Sequence, residues 1–94
     1  MLLLLYNNSK VVIIYLKIGD KISFDLYGYE LTSKWDTPFG ITYLYTFKDI
    51  YQNAYVWKTR IYIVDDIKRV TARIKDFIQY NDTKETVLSY CKFK

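Results

Sequence analysis

The chain has no histidine, which removes the commonest general base and the commonest transition-metal ligand. One cysteine, Cys91, excludes an intrachain disulfide and suits a reducing setting, where a lone cysteine acts as a small hydrophobe. Three glycines and one proline leave no low-complexity linker and no Gly-rich phosphate loop. A nucleophile elbow and Cys/His metal spacing are also missing, so no catalytic residue, metal or cofactor is expected. Asp65 and Asp66 are adjacent, but two acids without further ligands read as a solvated turn. Long apolar runs are absent too. "MLLLLYNNSKVVIIYL" is two short runs split by Asn7-Asn8-Ser9-Lys10, and neither nears the roughly 20 residues of a membrane span. The early positive region and small-residue cleavage site of a secretory signal are missing. The expected setting is the cytoplasm, or that of the host cell if the chain is viral, with no membrane partner.

What is present is apolar and aromatic. Half of the 94 residues are hydrophobic and 19% are aromatic, enough to fill one small domain without metal or disulfide staples. The net charge of +4 is uneven. Residues 1–53 carry five Lys and five Asp/Glu, whereas residues 54–94 carry nine Lys/Arg and five Asp/Glu. That imbalance suits an anionic partner; the plainer reading is a basic surface that keeps a small domain soluble.

Aromatic and β-branched residues dominate nearly everywhere, and no long amphipathic helix is visible. Ile22, Phe24 and Leu26 alternate with Ser23, Asp25 and Tyr27, the period of a half-buried strand that runs on to about Lys34. Gly28 lies inside it, where a glycine marks a bulge or tight bend. "WDTPFG", 35–40, reads as a loop, and 41–49 as a second strand. Residues 50–53 form a turn in which Asn53 can take a positive φ. Residues 54–63 are a third strand and Asp65-Asp66 a break. Strands over 67–80 and 85–93 flank a turn at 81–84. The fold expected is all-β with little or no helix: a five-stranded OB-type Greek-key barrel over residues 19–94, with an SH3-like barrel as runner-up. Residues 1–18 lie outside it. They are either a strand hairpin, 2–6 with 11–17, or a loose extension.

Four blocks carry a resemblance. They are Trp35-Asp36-Thr37-Pro38-Phe39-Gly40, Tyr43-Leu44-Tyr45-Thr46-Phe47, Val56-Trp57-Lys58-Thr59, and Thr86-Val87-Leu88-Ser89 followed by Cys91-Lys92. In this order and spacing, residues 19–94 resemble the OB-fold single-stranded nucleic-acid-binding domain of small phage and mobile-element proteins. Tyr90 stands where that pattern commonly has a basic residue. The resemblance implies non-catalytic binding of single-stranded DNA or RNA in replication, recombination or repair.

Single-strand binding needs aromatic faces for bases and cations for phosphates. In OB barrels the face of strands two and three, with loops 1-2 and 4-5, provides them. On that geometry the stacking candidates are Trp35, Phe39, Tyr43, Tyr45, Tyr55 and Trp57. The cations beside them are Lys34, Lys48, Lys58 and Arg60. Arg73, Lys75, Tyr80 and Lys84 belong to the 4-5 hairpin. Alternation qualifies the set. Tyr43, Tyr45 and Phe47 share one face, as do Tyr55 and Trp57, opposite Lys48 and Lys58. Those aromatics are therefore either the core or the binding surface, while Trp35, expected in a loop, has less reason to be buried. Arg69, Arg73 and Lys75 alternate as a solvated face or a phosphate track. The alternative function is a protein-interaction module, in which the apolar N-terminal strands join copies of the chain into a homo-oligomer.

Overall fold

The computed structural model describes residues 2–7, 10–64, 66–80 and 82–94, with the backbone alone for 2–7, 10–15 and Tyr80. Strands β1 (Leu2–Asn7) and β2 (Lys10–Tyr15) pair antiparallel, Leu2 opposite Tyr15 and Asn7 opposite Lys10. Asn8 and Ser9, the expected turn, lie outside the described residues.

The remaining strands are β3 (Lys21–Thr37), β4 (Gly40–Asp49), β5 (Ala54–Thr59), β6 (Arg69–Tyr80) and β7 (Thr83–Phe93). They belong to one sheet whose neighbour order, β3-β4-β5-β7-β6, returns to β3. All contacts are antiparallel except β5 with β7, which is parallel from Ala54–Glu85 to Trp57–Leu88. Strand β3 serves two partners: Lys21–Asp25 pair with β6, and residues from Leu26 to Thr37 pair with β4. The handover coincides with a register shift between Leu26 and Gly28, where the sequence expects a bend. No helix occurs among the described residues, so none is long and apolar enough to cross a membrane.

Several details differ from the sequence reading, among them β6 beginning at Arg69 rather than 67 and β7 at Thr83 rather than 85. Residues 35–37 are strand rather than loop, because Trp35, Asp36 and Thr37 pair with Thr42, Ile41 and Gly40. The turn shrinks to Pro38-Phe39. Thr37 Oγ1 accepts the Phe39 N–H at 3.2 Å and donates to the Gly40 carbonyl at 2.8 Å. Gly40 sits at φ +116°, a conformation that side chains rarely adopt. The third strand stops at Thr59, whose hydroxyl accepts the Ile61 N–H. In the 50–53 turn it is Gln52, not Asn53, that takes the positive φ, at 68°.

Period two fills the interior. Phe24, Tyr45, Phe47, Tyr55, Trp57, Val70, Ala72 and Leu88 form one buried cluster, joined by Ile63 and Ile67 from the irregular segment after β5. The Ile63 N–H donates to Tyr45 Oη at 2.9 Å, which ties that segment to the inward side of β4. Phe24 and Tyr55 stack with centroids 4.0 Å apart. Cys91 packs at the cluster's edge, and burial pushes its thiol up to about 12, so it stays protonated at neutral pH.

Candidate nucleic-acid interface

The interior takes several of the expected stacking residues. Tyr45 and Tyr55 are 2% exposed and Trp57 is 7% exposed, so no base can reach their ring faces. Lys58 and Lys48, their opposed neighbours, are exposed, as long cationic side chains are rarely fully buried. The Tyr55 hydroxyl donates to Asp49 Oδ2 at 2.9 Å. Burial first, and the facing carboxylate second, raise its ionisation well above the tyrosine range. Tyr43 is half-buried between Tyr45 and Tyr62, with centroids at 6.3 and 5.3 Å.

Trp35 and Phe39 remain open. Trp35 stands opposite Thr42, and Leu44, two positions along β4, stands opposite Lys58 of β5. Alternation puts these side chains on the outer face, with β4 between them. Trp35 is 39% exposed, and Lys58 Nζ lies 5.7 Å from its ring centroid. That cation–π contact is worth about 0.5–1 kcal/mol at an exposed site. It also holds an ammonium beside a flat aromatic face. Next to it a groove of about 590 Å³ runs past Thr37, Phe39, Thr42, Thr59 and Arg60, again with Lys58 in its wall. Phe39, at the hairpin tip, is 80% exposed. Two aromatic faces and two cations therefore share one shallow outer surface.

The other expected cations are dispersed. Lys34 is exposed but lies beside Trp35 in sequence, hence on the opposite side of β3. Lys48 lines a separate hollow with Tyr27, Glu30 and Thr46. The Arg73 guanidinium donates to the Gly19 carbonyl at 3.1 Å, and Arg69 pairs with Asp25 at 2.6 Å. The alternating basic face of β6 is thus divided, with only Lys75 turned toward Lys58, across a second groove. Lys84 is exposed on β7 opposite Gln79. The Tyr80 side chain lies outside those described. Sequence reasoning passed over Tyr90, which is 81% exposed in that second groove. Among the described residues no cluster of three or more acidic or cysteine side chains could hold a metal ion.

No protein-family model matches the chain, and no curated protein or solved structure matches it.

Proposed function

We propose that the ring from β3 to β7 is an OB-type Greek-key barrel, and that the chain is a non-catalytic binder of single-stranded nucleic acid, DNA first, acting in the cytoplasm. The observation that carries the reading is the Trp35–Lys58 pair beside the Phe39–Arg60 groove. Stacking platform and phosphate cation are the two groups that single strands require. They lie on the outer face of β3, β4 and β5, the first three strands of the ring. The strand order, with one parallel contact between its third and fifth members, supports the barrel reading. Base preference should be slight, since stacking tolerates any base and the groove's other side chains are threonines.

Titration with oligo-dT should quench tryptophan fluorescence, with Trp35 as the reporter, and the effect should fade as salt rises. Trp35→Ala should weaken binding about 5- to 150-fold while changing stability by about 1 kcal/mol or less. Each of Lys58→Ala and Arg60→Ala should lower the slope of log affinity against log salt by about 0.7. Absence of quenching by any oligonucleotide at low salt removes the reading.

A second reading is supported by the β1–β2 hairpin. Its five pairs from Leu2–Tyr15 to Tyr6–Val11 join only aliphatic and aromatic residue types, and it pairs with no strand of the ring. An isolated two-stranded hairpin is marginal in water, which suits an oligomerisation element that joins copies of this chain. Deleting residues 1–16 should then lower the mass in solution and leave oligo-dT binding intact. A mass per chain unchanged by the deletion rules this reading out.

A further inference from the structure

Strict alternation along β7 assigns Tyr90 to the interior, in step with buried Thr86 and Leu88. The structure turns it outward. Between Thr71–Lys92 and Arg73–Ser89 the register slips, so that Tyr90 and Cys91 together face Ala72 alone. The bulge sends Cys91 and Phe93 to the core and Tyr90 to the surface. A second slip, between Ile74–Leu88 and Asp76–Val87, leaves Lys75 as an extra residue on β6 and restores the offset. The first bulge thus turns Tyr90 out to the groove that Lys75, outward by simple alternation, already lines. That groove, about 440 Å³, opens where β5 and β7 part after Trp57–Leu88, and Lys58 stands in its wall.

Tyr90 also holds φ at 52°, a left-handed conformation that costs a non-glycine residue about 1–2 kcal/mol. The same bulge carries Phe93 into contact with Phe47 and Trp57, so packing in the core offsets the strain, while the Tyr90 ring itself is left 81% exposed. An exposed aromatic beside two lysines offers the stacking face and the phosphate cations that a single strand requires.

We infer that this second groove continues the binding surface: Tyr90 stacks one base, and Lys58 and Lys75 straddle the phosphate between it and the base on Trp35. The inference rests on the single-strand reading above and extends it. From β3 across β4 and β5 to β7 is three strand spacings, about 14 Å, so the polynucleotide crosses the strands rather than following one. Asp76, which accepts the Phe77 N–H at 2.8 Å, is the one acid in the groove wall. With two lysines against it the groove keeps a net positive charge that complements phosphate.

The test uses the full chain and dT8. Tyr90→Ala should weaken dT8 binding about 5- to 150-fold. Lys75→Ala should lower the salt slope by about 0.7. Tyr90→Gly separates binding from folding, because it removes the ring and relieves the strained φ. It should keep or raise the melting temperature and still lose affinity. Wild-type affinity in Tyr90→Ala and Tyr90→Gly, with Trp35→Ala impaired, overturns the second groove and leaves the first reading standing. Failure of the wild-type chain to bind dT8 overturns both. A fall in melting temperature for Tyr90→Gly would show the ring to be structural and also overturns the inference.

Discussion

Trp57→Ala should remove about 3–5 kcal/mol of folding stability, read as a shift in the urea midpoint at constant slope. The indole is 7% exposed and packs on Tyr45, Phe47 and Phe93, with centroids at 6.4, 6.4 and 5.3 Å. Its removal deletes the transfer free energy of the ring. It also leaves a cavity that a closed ring of strands cannot collapse to fill. A domain of this size has on the order of 5–15 kcal/mol in total, so the loss is a large fraction and corresponds to roughly 20 °C in melting temperature. Trp35→Ala is the matched control, since the two tryptophans sit on opposite faces of one sheet. One substitution should change folding and spare the proposed oligonucleotide site around Trp35, and the other should do the reverse. A loss below about 1 kcal/mol for Trp57→Ala would mean that the ring is not core, and the assignment of faces would fail with it.

The sequence carried the fold better than the site. Five of the strands follow from alternation and from turn residues, and the bend at Gly28 was legible because a glycine interrupts a run of large side chains. Alternation also separated Trp57 from Lys58, which the structure resolves by burying Trp57 and exposing Lys58. Trp35 was expected in a loop because Pro38 and Gly40 follow it closely. Only the register shows that a two-residue turn suffices, and that β3 carries Trp35 out to meet Thr42. That the contact joins Trp35 to Lys58, 23 positions away, needs the order of strands. Lys75 was a candidate from the sequence, but Tyr90 was hidden for a different reason. A bulge moves every later side chain to the other face, and no glycine or proline in "ARIKDF" or "LSYCKF" announces one. After the fact the signal is there: without the bulge at Lys75, Asp76 would point inward and Phe77 outward.

Asp49→Ala should cost about 3–5 kcal/mol at pH 8, through a network that the sequence did not reveal. Asp49 is 2% exposed, and among the described residues no cation forms an ion pair with it. Its charge is held by hydrogen bonds instead. Oδ1 accepts the Tyr51 and Asn53 N–H groups, each at 2.9 Å. Oδ2 accepts Asn53 Nδ2 and the Tyr55 hydroxyl, also at 2.9 Å. One side chain therefore closes the β4–β5 turn and fixes the ring that stacks on Phe24. Alanine removes this acceptor from the buried Tyr55 hydroxyl and from the part-buried donors of Tyr51 and Asn53. The pH dependence follows from Tyr55, whose ionisation is raised by burial and by Asp49. A group raised on folding contributes stability that is intact below its unfolded value, about pH 10 for tyrosine, and is lost as pH climbs above it. In the wild-type chain, ionising Tyr55 would also set a phenolate against the Asp49 carboxylate; in Asp49→Ala that repulsion is gone and only burial opposes the charge. Both proteins should therefore lose stability as pH rises above about 10, and the gap between them should hold until Tyr55 ionises in folded Asp49→Ala, as read by urea unfolding at each pH. A cost below about 1 kcal/mol at pH 8 would mean that Asp49 does not hold the turn, and the account of the turn would have to be abandoned.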